Sequence, residues 1–482
     1  MSYITITVQV LEDNSGVNAE LPAMLTDRGM FMPLIDYFLE KIDFYSLKWM
    51  RKTINAVGLL LQYTEANYQC FNDRKDLFAT FTRRLYAGTI GDDGLDPSGL
   101  GWTPLSSNAV TSIVNHLTAF LDWYSSKTDS DSINPVREST RYEQMIYWAA
   151  YHHRHKNAFL GHGWKTESAS EAAKKARTIK LRRRPKYNLE ENQSFPEDDI
   201  WNLIFKGFVV PGKRYSPRLE DRIDLRNALI TLLMHFGGLR LSETGHIYVQ
   251  DVIPDPYNPN SALVRVFHPV EGSSPNDEIG DAVFSIKFKN REQYLRLRWQ
   301  MRPRNKYFSD RFFAGWKNPV LESKTGNFMY VHWFPTWIGE WFKYLWDYYL
   351  IQRSITDCNH PFAFVAKSGR PYALRDFQEA HAKAVRRYGS LPKRELGTTP
   401  HGHRHAMKRR LQQAGVDPIY IKVIMHHADI KSQTKYGLPS IREVTNSLSK
   451  VSLKLRTNDF YIGPNLQSYG FENKFPNTVS YN

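Results

Sequence analysis

The sequence predicts a multidomain, mainly α-helical protein. It has a helical N-terminal domain, a basic connector, and a larger mixed α+β domain with a small antiparallel β-hairpin sheet. Three observations predict it. The chain has 482 residues, room for about three domains at roughly 150 residues each. Two long stretches repeat apolar residues at helical spacing: Leu47, Ile54, Val57 and Leu61 within Ser46 to Asn67, and Val110, Ile113, Leu117 and Leu121 within Ser107 to Lys127. Between Lys174 and Lys186 the composition then changes abruptly to eight basic residues and no acidic one.

Each element has its own local cause. Ile4 to Val10 alternates with period two and predicts a strand, so residues 1–29 form an N-terminal strand and extension. Whether that strand is an independent module or docks on the helices is open. Residues 30–162 form the helical domain, interrupted at Gly88 to Ser107, where Gly, Asp, Pro and Ser favour turns. Residues 163–194 are the basic linker. Folding resumes at Phe195, where Glu197, Asp198 and Asp199 suit the first turn of a helix. Asp221 to Phe236 predicts a helix with Leu225, Leu229, Leu232, Leu233 and Phe236 on its apolar face, stopped by Gly237-Gly238. Strands follow at Ala262 to Phe267 and Phe328 to Trp333, then helices over most of 335–456 and a tail at 457–482. The aromatic cluster from Trp333 through Trp337 and Trp346 to Tyr349 is expected to pack in the core.

Charge and cysteine usage narrow the class. Lys and Arg number 64 against 49 Asp and Glu, a formal net charge of +15, which favours a polyanionic partner. The run Lys174, Lys175, Arg177, Lys180, Arg182, Arg183, Arg184 and Lys186 repels itself and points to a phosphate backbone that neutralises it. The two cysteines, Cys70 and Cys358, form no disulfide framework and no repeated CxxC zinc site. A reducing cytoplasm is the expected compartment. The N-terminus lacks a secretory pattern, and Trp337 to Ile351 is broken by Glu340, Lys343 and Asp347, so no membrane span is expected.

Four short groups carry chemistry: Gly238-Leu-Arg240-Leu-Ser-Glu243; Ser323-Lys324-Thr-Gly326 before a strand; His401-Gly-His403-Arg404-His405; and Met425-His426-His427 with Tyr436 nine residues after His427. Singly each is weak, because arginines on turns usually serve the surface and tyrosines the core. Together, and in this order, they resemble the tyrosine recombinase, or phage integrase, family of site-specific DNA recombinases. The resemblance covers most of residues 195–456, the catalytic domain. Residues 30–162 look like the family's core DNA-binding domain by helix pattern alone.

The resemblance implies that Tyr436 is the nucleophile and forms a 3′-phosphotyrosine, that Arg240 and Arg404 clamp the phosphate, and that His401 and His427 are its imidazoles. Glu243 would orient the clamp from behind. The chemistry agrees: a hydroxyl attacking a phosphodiester builds charge on the non-bridging oxygens, which guanidinium forks bind well. An imidazole can donate to that phosphate or move the nucleophile's proton. The general-acid lysine stays open between Lys324, which has the hairpin context, and Lys317. An insertion near 269–316 blurs this choice. Met425-His426-His427 also departs from the usual Leu-Gly-His by placing His426 where the family has glycine.

The resemblance further implies double-stranded DNA as partner and a homotetramer in which the helix Ser440 to Arg456 docks on a neighbouring copy. Two domains would close as a C-shaped clamp on DNA, in service of a mobile element and with possible accessory proteins. No cofactor is implied. Type IB topoisomerase-like relaxation and a catalytically inactive DNA-binding protein of the same fold are the alternatives. A zinc site built from His401, His403, His405, His426 and His427 is disfavoured, since neither thiolates nor helical i, i+4 pairing accompany them all. His403 and His405 are expected to be helix-start or packing residues.

Overall fold

The computed structural model describes residues 3–11, 14, 18–42, 44–157, 166–179, 181–182, 193–275, 288–307, 311–426, 441–457 and 466–471. About half of the chain is helical, with sixteen α-helices and small antiparallel sheets among the described residues. The chain divides into two compact units, Met1–Asn188 and Leu189–Asn482.

The first unit opens with a three-stranded antiparallel meander, β1 (Tyr3–Leu11), β2 (Asn18–Thr26) and β3 (Gly29–Met30), with Tyr3 opposite Thr26 and Leu25 opposite Met30. Its helices are α1 (Met32–Leu39), α2 (Leu47–Asn67), α3 (Arg74–Ala87), α4 (Ser107–Thr128), α5 (Arg141–Asn157) and α6 (Thr166–Ala173). Ser46 and Ser106 cap α2 and α4 by accepting from Trp49 N and Ala109 N, satisfying amides that a helix start leaves bare. The apolar faces of α2 and α4 meet there: Ile54, Val57, Val110 and Leu117 share one core with Leu34, Phe38, Phe78 and Phe81. Leu21, Ala23 and Met24 of β2 are buried in that same core, so the N-terminal strands dock on the helices. A Cβ on Gly58 of α2 would fall 2.2 Å from the Tyr3 ring, so the missing side chain lets β1 approach.

The basic run differs from a free linker. Lys175–Arg177 is a strand, β5, paired with β4 (Val136–Glu138). Arg177 spends its guanidinium on Asp122 and on the Asn134 carbonyl, while Arg182 lies over the Tyr86 ring at 4.5 Å. Ile179 and Leu181 pack against the helical core. The apolar residues interleaved among the cations give this stretch something to bury, so it joins the first unit. Lys180, Arg183, Arg184 and Lys186 lie outside the described residues.

In the second unit a short turn, α7 (Ile200–Asn202), and α8 (Leu219–Arg222) precede α9 (Leu225–His235) and α10 (Leu241–Thr244). The single helix expected over Asp221 to Phe236 is split, because Asp224 turns its carboxylate back to accept from Asn227 N at 3.1 Å and starts α9 afresh. The sheet is β6 (Val252–Asp255), β7 (Asn258–Phe267) and β8 (Phe328–Tyr330), with Val252 opposite Val264 and Phe267 opposite Phe328. β8 stops at Tyr330, short of Trp333. Helix α11 (Arg291–Trp299) lies between β7 and β8, and after β8 come α12 (Ile338–Ser354), α13 (Leu374–Arg387), α14 (Pro400–Gln413), α15 (Pro418–Ile424) and α16 (Ile441–Thr457). Helix α12 lies on β7, and Trp333, Trp337, Trp346 and Tyr349 are core residues as expected.

The helix expected to dock on a neighbouring copy is α16, and in this single chain it docks at home. Val444 and Leu448 are buried against Met407 and Leu411 of α14 and Ile424 and Met425 beside α15. An amphipathic helix must bury its apolar stripe somewhere, and its own unit supplies the groove. No helix among the described residues is long and apolar enough to cross a membrane.

Candidate active site

Glycine punctuation sets the first arginine. Helix α9 ends before Gly237-Gly238; Gly238 takes φ +69°, a left-handed turn that costs glycine least, and the chain reverses into Arg240. Arg240 is the N-cap of α10. Its amide donates to Glu243 Oε2 at 2.7 Å and its Nη1 to Glu243 Oε1 at 2.5 Å. Glu243 is fully buried, and its second oxygen lies 4.0 Å from Arg404 Nη1. One carboxylate therefore stands behind both guanidiniums.

Arg404 is where the segments meet. It sits on α14, 5% exposed, and donates to the Gly238 carbonyl on one side and to the Met425 carbonyl on the other. Burial draws its pKa down to about 10, against the pull of Glu243, and it stays charged at neutral pH. His401 stands one turn earlier, exposed, in the first turn of α14 behind Pro400, where the positive end of the helix favours an anion. Its pKa is lowered by partial burial and then by the charges of His405, Arg404, Lys317 and Arg394. The cations that would hold a phosphate thus also keep this imidazole neutral and able to take a proton.

Lys317 is exposed in a segment sewn to the site at both ends. Trp316 stands edge-on to His246 and to His268, at 5.4 and 5.5 Å, and Val320 N donates to the His426 carbonyl. Lys324 is exposed in the turn that Ser323 closes by accepting from Gly326 N at 3.1 Å. His427 and Tyr436 lie outside the described residues.

His426 explains the departure from Leu-Gly-His. It adopts φ +50°, the region that favours glycine, and its ring is buried. Burial holds that imidazole well below its ordinary pKa, reinforced by His332, Arg404 and Arg240. Behind it Glu322 accepts from His332 Nε2 at 3.1 Å and lies 3.7 Å from His426 Nδ1. The sequence reading missed Glu322 and His332, which carry no motif and meet only because β8 folds back on the residues before it.

His403 proves to be more than a packing residue. Arg410 Nη2, which can only donate, lies 2.6 Å from His235 Nε2. Glu197 Oε2, which can only accept, lies 3.3 Å from that same nitrogen; His235 Nδ1 lies 3.0 Å from His403 Nδ1, and His403 Nε2 lies 2.8 Å from His381 Nε2. The chain ends at His381 Nδ1, which has no hydrogen-bond partner among the described residues. Glu197 closes the other end on Arg410 at 2.7 and 2.8 Å. These rings tie α14 to α9 and α13. Among the described residues no three His, Cys, Asp or Glu side chains gather as a metal-ligand group.

Residues 329–439 match the model of the phage integrase family. These residues belong to that family. The matched integrase segment holds His401, Arg404, His427 and Tyr436, while Arg240 and both lysines lie before it. No curated protein matches the chain. Similar solved structures include XerH site-specific recombinase bound to palindromic difH substrate, at 12% identity and TM-score 0.42 over 86% of this chain and 78% of that one. They also include a Tn1549 transposon integrase in complex with a circular intermediate DNA, at 14% identity and TM-score 0.34 over 81% and 99%. XerA recombinase is similar at 11% identity and TM-score 0.30 over 90% and 98%.

Two outcomes follow from this geometry. A Cβ on Gly402, between His401 and His403, would fall 1.8 Å from the Gly397 carbonyl oxygen, a backbone atom that cannot step aside. Gly402→Ala is therefore expected to cost about 1–3 kcal/mol, the range for overpacking, read as a lower urea midpoint at unchanged slope. The second concerns acid. Burial lowers His235 and His360 to about 4 and His246 and His381 to about 3. Unfolded imidazoles charge below about 6.5, so between there and pH 4 the unfolded state binds more protons and stability falls as pH falls. The slope is up to roughly 1.4 kcal/mol per pH unit per histidine. Urea midpoints from pH 7 to 4.5 measure it, and a flat profile would contradict neutral burial.

Proposed function

We propose that the chain is a site-specific DNA recombinase that cleaves and rejoins duplex DNA through Tyr436. The observation that carries the reading is the convergence of Arg240, Glu243, His401 and the segment bearing Lys317 around buried Arg404. Two guanidiniums backed by one carboxylate form an anion site of fixed geometry, suited to charge that grows on a phosphate's non-bridging oxygens. The phenol oxygen of Tyr436 attacks phosphorus, the bond to the 5′-oxygen breaks, and the DNA is held as a 3′-phosphotyrosine. His401, kept neutral, accepts the phenol proton, and a lysine protonates the departing oxygen. The reverse sequence rejoins the strand, so no external energy source enters.

We take Lys317 over Lys324 as the general acid, because its segment borders the site: Trp316 packs on His246 and His268, and Val320 N donates to the His426 carbonyl. Domain roles follow: residues 30–162 grip DNA, with Lys174 and Lys175 outward while Arg177 and Arg182 hold the strand in place. A mobile-element role and a tetramer on DNA complete the proposal. In that tetramer α16 would exchange its home groove for the same groove on a neighbour.

Covalent trapping tests the reaction class. Wild type on nicked suicide duplexes should yield a DNA-linked band after denaturation, and Tyr436→Phe should yield none; tight DNA binding without a band would point to a binding-only protein. For the acid, Lys317→Ala is expected to slow cleavage by about 10²–10⁴-fold and to recover on a substrate with a 5′-thiol leaving group. Recovery in Lys324→Ala instead would move the role to Lys324.

A further inference from the structure

We infer that Glu322 is a positioning residue for the proposed cleavage: its carboxylate, on the segment that bears Lys317 and Lys324, sets the general-acid lysine for the leaving oxygen. The inference rests on the DNA-cleaving reading and adds to it a residue that no motif marks.

Glu322 stands where three pieces of chain cross. Its side chain is 15% exposed. Oε1 accepts from Tyr330 N at 3.1 Å, and His332 Nε2 reaches Oε1 and Oε2 at 3.1 and 3.2 Å. From the turn after α15, His426 Nδ1 approaches Oε1 to 3.7 Å. The Glu322 amide donates to the Phe328 carbonyl at 2.9 Å, and the Ser323 amide to the same oxygen at 3.0 Å. The lysine segment is thereby laid along β8 and faced toward Met425 and His426. A carboxylate taken out of water is costly unless donors surround it, so these contacts fix its place closely.

The pieces that meet there do not depend on Glu322 equally. The turn has tethers of its own: Met425 N donates to the Ile421 carbonyl and His426 N to the Val423 carbonyl, both at 2.9 Å, and the Met425 carbonyl accepts from Arg404. β8 is paired with β7. The lysine segment is anchored upstream by Trp316, edge-on to His246 and His268. Between that anchor and Glu322, Val320 N meets the His426 carbonyl at 3.4 Å, beyond the usual length of such a bond. Lys317 directly follows Trp316, and Lys324 comes two residues after Glu322. The carboxylate is therefore the downstream pin of one lysine and the upstream pin of the other. Its loss shifts the acid before it shifts the phosphate clamp.

The test uses the full chain on nicked suicide duplexes whose leaving group is either a 5′-oxygen or a 5′-sulfur. A thiolate departs without first taking a proton, so a misplaced acid costs little on sulfur. Glu322→Ala should slow cleavage of the oxygen substrate about 10²-fold, leave duplex affinity unchanged, and show no such defect on sulfur. Glu322→Gln, which keeps an acceptor for Tyr330 N and His332, should recover most of the lost rate. If Glu322→Ala does not fold, His332→Phe, which removes the donor that holds the carboxylate, should show the same recovery on sulfur. Added to the alanine variant of the lysine that sulfur rescues, Glu322→Ala should cost nothing further, since the two act in one step. Cleavage by Glu322→Ala at the wild-type rate overturns the inference. So does a defect equal on both leaving groups or multiplied onto that of the lysine, which would place Glu322 in the clamp or the fold alone. Absence of sulfur recovery in both lysine variants overturns it as well. Failure of the underlying reading looks different: the wild type itself forms no Tyr436 adduct on either substrate.

Discussion

The buried fork of Arg404 is the interaction on which the rest of the second unit depends. Its two donors reach the carbonyls of Gly238 and Met425, residues that end two separate helical segments, and its charge is met by Glu243 from a third. Remove that guanidinium and the turn into Arg240 loses its tie to α14. In the proposed reaction the same group grips a phosphate, so the brace of the fold and the proposed chemistry share one side chain. This explains why Glu243 is fully buried: a cation 5% exposed needs an anion within the protein when no substrate is present.

Cations are used structurally throughout this unit. Arg291, Arg304, Arg404 and Arg410 are all nearly inaccessible, each with carbonyls or a carboxylate on its donors. Arginine suits the task because it keeps its charge and offers five donors in a plane. A +15 chain thus turns only part of its basic excess toward solvent. Composition signals a polyanionic partner but cannot say which cations face it.

The long amphipathic helices were legible in the sequence because an apolar period is local, while their capping serines, Ser46 and Ser106, emerged only from the structure. So was the grouping of Arg240, Glu243, His401 and Arg404, since the motifs bring characteristic neighbours. Other features depended on distant residues. The break before α9 arose from one capping aspartate inside a continuous helical period. The role of Arg177 needed Asp122, fifty-five positions away. β2 was missed because its buried residues, Leu21, Ala23 and Met24, include consecutive ones and so blur a period of two. His403 sits in a motif yet turns inward, away from the site that motif describes. His427 and Tyr436 rest on spacing alone.

The three linked imidazoles share one constraint. His235 Nε2 faces both Arg410, which can only donate, and Glu197, which can only accept, while its Nδ1 faces His403 and His403 in turn faces His381. Two imidazoles that meet through one nitrogen each need one N–H and one lone pair, so the proton on each ring constrains the proton on the next. The three rings are therefore set together and not one at a time, from the Arg410–Glu197 pair as far as α13.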